Sequence, residues 1–330
     1  MNENTLKVTL SPRLSAPRPA APETVSSDYT RADRLAAWKA RWGINRMASR
    51  VKPGLYALGS PSPDSPVFAT ANYRLSFDAL RTNLKGLNAW LLVLDTKGIN
   101  VWCAAGKGTF GTAELARIIA ETGLEGRVKH RTLILPQLGA PGISAHRVKA
   151  STGFSVAYGP VRAEDLPEYL RLSRATPEMR KINFNFTDRM ILAPIQLVHF
   201  GRYMLPAAAL LYLLGYRADA AYTLGALLAG GALVPALLPW LPGRSFAIKS
   251  AAAGLLVLAL IALAHDQSPA QFAARALIYS AAASFVGLDF TGASTYTSLS
   301  GVMKEMRLAV PAHALAAAAG LIILAAGRYL

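Results

Sequence analysis

Cys103 is the only cysteine in the 330-residue chain, and it lies in the run Asn100-Val101-Trp102-Cys103-Ala104-Ala105-Gly106-Lys107. A single thiol excludes an intrachain disulfide, a CxxC metal site and an iron–sulfur cluster ligated by cysteines of this chain. What remains is one thiol, followed by Gly106, Gly108 and Gly111, where the backbone lets a flat ligand approach closely. Two familiar chemistries do not fit. A P-loop needs Gly, four residues, then Gly-Lys-Ser/Thr, whereas Gly98 stands too far before Gly106 and Gly108 follows Lys107. A cysteine nucleophile needs a histidine base, and His130 and His146 carry no recognisable flanking signature.

The elements that must position Cys103 follow from the pattern around it. From Val67 onward short apolar runs alternate with helical segments, which predicts an α/β domain. Strands are expected at 67–71, 90–94, 101–104, 132–135 and 155–158, and helices at 77–85, 112–122, 144–150 and near 166–174. Thr112 is expected to cap its helix and Gly123 to stop it. In this reading Cys103 ends a strand and faces the crevice that α/β sheets form beyond strand C-termini. Upstream, residues 1–27 are rich in Pro, Ser and Ala and read as disordered. Residues 27–50 read as a short basic helix, with Leu35, Ala36, Trp38 and Trp42 on one face, that packs on the domain or lies on a membrane.

Composition adds a second part. The chain is 52% hydrophobic and 16% charged, and most of its 35 Lys and Arg and 19 Asp and Glu precede residue 201. The remainder reads as about five membrane spans, at 197–216, 220–241, 250–264 with an extension back through Phe246, 276–288 and 308–326, judged against the ~20 apolar residues that cross a bilayer. Arg244, Lys249, Lys304 and Arg307 would then share the side of the N-terminal domain, which places that domain in the cytoplasm. The N-terminus has no apolar core of signal-peptide length. The basic residues behind the net charge of +16 are spread along the soluble part with no nucleic-acid motif, so an anionic membrane surface is their expected counterpart, and nucleic acid is not.

The run from Asn100 to Lys107 closely resembles the cap-helix signature of the corrinoid protein of microbial mercury methylation, and every position fits. Thr70-Ala71-Asn72-Tyr73-Arg74-Leu75-Ser76-Phe77-Asp78 resembles the start of that family's corrinoid domain, and residues 289–301 resemble a loop of its membrane part. The resemblance covers roughly residues 55–330 and rests mainly on Trp-Cys-Ala-Ala-Gly-Lys. It implies a Rossmann-like α/β corrinoid-binding domain at 55–185, after an N-terminal extension at 1–54, and an all-α transmembrane domain of about five helices at 186–330 in the inner membrane.

The resemblance further implies a cobalamin-type corrinoid whose cobalt takes Cys103 as lower axial ligand. Asn100, Val101, Trp102, Ala104, Ala105, Gly106 and Lys107 would surround the corrin, together with Thr70, Asn72 and Gly153. The turns Gly139-Ala140-Pro141-Gly142 and Ser151-Thr152-Gly153 are either a cradle for the corrin's nucleotide tail or ordinary loops. Implied partners are a methyl-pterin-dependent donor system, Hg(II) as acceptor, membrane lipid, and a small ferredoxin with two four-iron clusters as reductant.

The ligand has a physical rationale beside the resemblance. A thiolate opposite a methyl group donates strongly and weakens the cobalt–carbon bond, favouring release of a carbanion-like or radical fragment, which Hg(II) accepts. A nearby helix N-terminus or Lys107 would help hold the thiolate. No histidine here sits in the Asp-x-His-x-x-Gly context that many corrinoid methyltransferases use. Two other functions stay open: a membrane-anchored corrinoid methyl carrier of one-carbon metabolism, and a non-enzymatic membrane protein that binds corrinoid or a thiophilic metal.

Overall fold

The computed structural model describes residues 21–293 and 299–327. Two compact units emerge, one from residues up to Tyr29 together with Arg50–Arg180, the other from Thr30–Ser49 with Lys181 onward. The segment read as an N-terminal extension is therefore divided between them.

In the first unit the chain runs β1 (Glu23–Val25), then β2 (Gly54–Leu58) and β3 (Val67–Ala71). The second unit contributes α1 (Arg31–Arg41) between β1 and β2. After β3 come α2 (Arg74–Asn83), β4 (Ala89–Leu94), α3 (Val101–Lys107), α4 (Thr112–Thr122), β5 (Thr132–Leu135), α5 (Ala145–Thr152), β6 (Ser155–Tyr158) and α6 (Leu166–Leu172). Among the described residues the sheet order is β1-β2-β4-β3-β5-β6. Neighbours are parallel from β4 through β6; β2 is antiparallel to β4, and β1 is parallel to β2.

The continuous apolar run of β4 is explained by burial on both faces, as parallel sheets require. Trp90, Leu92 and Leu94 join a core with Leu115 and Ile118 of α4 and Val148 of α5. Leu91 and Val93 point the other way, toward Phe77 and Leu80 of α2 and Leu166 of α6. Each such fully buried side chain contributes about 1.5–3 kcal/mol.

Several sequence expectations change. Residues 101–104 are not a strand but the opening of α3. Both hydrogen-bonding edges of β4 are already taken by β2 and β3, and the Asn100 side chain caps a helix instead. Thr112 is not the cap of α4; Gly111 takes that position, and Thr112 Oγ1 accepts from the Ser144 amide at 2.8 Å. Gly123 does end α4, in the left-handed region at φ 58°.

Residues 23–27 are ordered as well, although their composition suggested otherwise. Arg81, buried on α2 and paired with Asp78 at 2.7 Å, donates to the carbonyls of Ser26 and Asp28 and fixes β1 on the sheet edge. Residues 1–20 lie outside the described residues, as does part of the 289–301 loop.

The second unit continues with the short α7 (Phe186–Met190), then α8 (Ala193–Leu213) and α9 (Arg217–Leu228), which passes through a π-helical turn at Ala229–Leu233 into α10 (Val234–Leu237). It ends with α11 (Phe246–Ala262), α12 (Pro269–Asp289) and α13 (Leu299–Ala326). Helical rods thus occupy all the expected spans. Among the described residues two are long and apolar enough to cross a membrane, Arg217–Leu237 and Ser300–Ala326, while Phe246–Ala262 is apolar but shorter.

These helices approach through small residues. A Cβ on Gly254 would meet Ala283 at 2.7 Å, and one on Gly320 would meet the Ala274 carbonyl at 2.6 Å. Arg275 of α12 forms a two-pronged ion pair with Asp219 of α9, both contacts at 3.1 Å, and the Tyr279 hydroxyl donates to the same carboxylate.

Candidate functional site

The chain leaves β3 toward β4 on one side and returns through α3 and α4 to β5 on the other. Sheets of this order open a crevice at the C-terminal ends of the two strands where direction reverses. Here that crevice is a cavity of about 350 Å³, walled by Thr70 at the end of β3, by Asn100, Val101 and Trp102, and by Pro136 and Gly159 after β5 and β6.

What fixes α3 beside the crevice is the loop from Asp95 to Asn100, and its organiser is Asn72. The Asn72 side chain is 2% exposed. Its Oδ1 accepts from the Thr96 amide at 3.1 Å, the Thr96 hydroxyl at 2.9 Å and the Gly98 amide at 2.9 Å, while its Nδ2 donates to Asp95 Oδ1 at 3.1 Å. Such a clamp suits a loop with two consecutive left-handed residues, Lys97 at φ 61° and Gly98 at φ 75°. A Cβ on Gly98 would meet the movable Arg50 side chain, at 2.9 Å from Cγ, so it is the φ of 75° that calls for glycine. The Asp95 amide donates to Glu114 Oε1 at 2.8 Å, tying the loop to the first turn of α4. Hydrogen bonding from Lys97, opposed by partial burial and helped by Asn72, holds the Asp95 carboxyl below the usual carboxylate range.

Asn100 then caps α3, its Oδ1 accepting the Cys103 amide at 2.9 Å. Cys103 is thereby in the first turn, where free amides and the helix dipole present partial positive charge. Its side chain is half-buried. The same helix buries Val101, Ala104 and Ala105 in the core and leaves Gly106 and Lys107 exposed. Gly106 and Lys107 follow Cys103 by three and four residues and so share its face. A Cβ built on Gly106 meets nothing within 4 Å, so no protein contact dictates glycine there.

The structure brings Thr70, Asn100, Val101 and Trp102 together around one cavity; Cys103 stands one residue beyond them and is not itself in the lining. Asn72 acts through the loop, and Ala104 and Ala105 seat the helix. Gly153 ends α5 in the left-handed region at φ 75°, outside the lining. Gly139 and Gly142 belong to a 3-10 turn packed against α3: a Cβ on Gly142 would lie 2.1 Å from the Phe110 carbonyl and 3.1 Å from Ala105 Cα.

Residue patterns missed Ser76, Pro136, Leu138 and the segment Gly159-Pro160-Val161-Arg162, which complete the wall. For Pro136, Leu138 and residues 159–162 the one sequence signal is position, just after the predicted strands at 132–135 and 155–158, whereas Ser76 lies in the 70–78 segment singled out by its resemblance.

Among the described residues no three His, Cys, Asp or Glu side chains converge as a metal site. A metal held at Cys103 must bring most of its own ligands, as a macrocycle does. The first-turn thiol and the bare Gly106 position leave one helix face open to a flat, metal-bearing group of that kind, next to a crevice whose lining stops at Trp102.

Comparison with known proteins points the same way. The family model of the CO dehydrogenase/acetyl-CoA synthase delta subunit matches residues 43–170. The gamma subunit of the acetyl-CoA decarbonylase/synthase complex of Archaeoglobus fulgidus is 37% identical over 118 residues, 35% of this chain and 25% of that protein. Its counterpart from Methanopyrus kandleri is 35% identical over 127 residues, 38% of this chain and 27% of that protein. The corrinoid/iron-sulfur protein large subunit of Moorella thermoacetica is 27% identical over 129 residues, 38% of this chain and 28% of that protein. The chain thus spans about a quarter of the length of these relatives, and the similarity supports a relation to corrinoid proteins.

Proposed function

We propose that this protein is a membrane-anchored corrinoid methyltransferase in which the Cys103 thiolate is the lower axial ligand of cobalt and Hg(II) is the methyl acceptor. The observation that carries the proposal is the placement of the chain's single thiol, half-buried in the first turn of a capped helix beside the crevice between β3 and β5. When bound, the corrinoid supplies a cobalt centre that accepts and releases a methyl group. Every other task falls to the protein. Asn100 and Asn72 hold the sulfur in place, Trp102 and Thr70 would border the ligand, and Gly106 keeps the helix face clear.

Mercury as acceptor rests on the resemblance at Asn100–Lys107 and on the donor strength of sulfur. A corrinoid methyl carrier of one-carbon metabolism is the second reading. The relatives support that reading more directly, since they are subunits of acetyl-CoA decarbonylase/synthase and a corrinoid/iron-sulfur protein. The donor is proposed to be a methyl-pterin system, and the reductant a small ferredoxin with two four-iron clusters. Membrane placement, multi-pass with the α/β unit in the cytoplasm, is supported by the two long apolar helices, the small-residue packing and the basic residues near the helix ends.

Anaerobic reconstitution with cobalamin tests the proposal. Wild type should show a sulfur-ligated spectrum and form methylmercury from Hg(II); Cys103→Ala should lose both, and Cys103→His should retain a ligand while losing most activity. Full corrinoid loading with no methylmercury would move the assignment to the carrier.

A further inference from the structure

The membrane reading leaves one feature unexplained, the outward face of α1. At 100° per residue, Leu35, Trp38 and Trp42 fall on one stripe, opposite the buried Asp33, Ala37 and Ala40. Leu35 is 53% exposed and Trp38 51%. The two indoles lie 5.5 Å apart, so the stripe has a continuous aromatic surface. Exposed Arg31 starts the stripe one turn before Leu35, Arg34 and Arg41 border it on one side, and Lys39 borders it on the other. Asp33 is turned back into the capping box with Thr30, so the helix offers cations and no free acid on this side. A water-exposed helix gains nothing from placing its tryptophans opposite its buried face.

The helix also has a fixed position within its own unit. The chain leaving α1 passes Gly43, where a Cβ would lie 3.5 Å from Ile195 in the first turn of α8. That turn is the N-terminal end of the first helical rod, and in the proposed topology it meets the cytoplasmic membrane surface.

We infer that α1 is an in-plane membrane-interface helix, with Leu35, Trp38 and Trp42 inserted at headgroup depth and Arg34, Lys39 and Arg41 bound to anionic headgroups. An apolar stripe flanked by cations, with tryptophan at its centre, is the composition that lies in a bilayer interface. Basic side chains are drawn to an anionic surface, and salt screens that attraction. The inference rests on the membrane placement proposed above.

The test uses the full chain in lipid vesicles carrying brominated acyl chains, with phosphatidylcholine alone or with added phosphatidylglycerol. Subtracting the fluorescence of a Trp38→Phe/Trp42→Phe variant isolates these two indoles from Trp90, Trp102 and Trp240. We expect a blue-shifted difference signal that bromine quenches, more strongly with phosphatidylglycerol, and a severalfold smaller phosphatidylglycerol effect in Arg34→Glu/Arg41→Glu or in 1 M salt. All four substituted positions are exposed or half-exposed, so folding should survive.

An unquenched, water-like difference signal from protein that resists alkaline carbonate extraction overturns the inference and hands this face to a protein partner. Release of the whole chain by carbonate overturns the membrane placement itself, which separates the two failures.

Discussion

The Asn100 side-chain oxygen accepts the backbone hydrogen of Cys103 at 2.9 Å, so the residue that starts α3 also sets the position of the chain's only thiol. Asn100→Ala should cost about 1 kcal/mol of stability, as loss of a side-chain cap does. It should also weaken sulfur ligation, and Asn100→Asp or Asn100→Ser should restore both. Denaturant midpoints and the visible spectrum of the cobalamin-loaded protein check the two effects separately.

Asn72 should be the more severe site although it borders no ligand. Asn72→Ala removes the acceptor of three buried or part-buried donors in the 95–100 loop. The expected loss is roughly 2–4 kcal/mol, because groups left unpaired carry their desolvation penalty. Thr70→Val, at the crevice wall, should leave stability nearly unchanged and affect only ligand binding; similar losses for both would remove the distinction drawn between clamp and lining.

Gly106 separates folding from function. Alanine there fits without contact and should stabilise α3 by up to about 1 kcal/mol, since glycine is the poorer helix former. If a flat ligand lies over the Cys103 face, Gly106→Ala should bind cobalamin less well and Gly106→Leu should scarcely bind it. Unchanged affinity in the leucine variant would show that the ligand lies elsewhere.

Asp95 gives a pH signature. Its folded carboxyl is held below the usual range by Lys97 first, so the stability it adds is present above the unfolded value near pH 4. That contribution is lost as pH falls through the lower, folded value. The difference in urea midpoint between wild type and Asp95→Asn should therefore be full at pH 7 and shrink below about pH 4. A difference that grew on acidification would contradict the assignment.

Asp219 and Arg275 test the helical unit. Removing one partner of a buried pair leaves the other charge uncompensated, so Asp219→Ala should destabilise by about 3–5 kcal/mol. Asp219→Asn should cost less, because it still accepts from Arg275 and Tyr279. Heat-induced loss of detergent-solubilised protein, followed by size exclusion, would rank the variants.

By itself the sequence determined the alternation of the α/β unit, because β-strands buried on two faces must be apolar throughout, as Ala89–Leu94 is. It also marked the places of the long later helices, though not the short α7, and singled out Cys103, since a lone thiol needs no neighbours to be conspicuous. Tertiary structure decided the rest. Whether Val101-Trp102-Cys103-Ala104 became strand or helix depended on both edges of β4 being occupied, a fact held in residues 54–58 and 67–71. Asn72 became a clamp because strand pairing carried it to a loop more than twenty residues away, and residues 23–25 became ordered because Arg81 reached back to them. Short-range propensity carries no information about such contacts; they exist only once the chain has closed on itself.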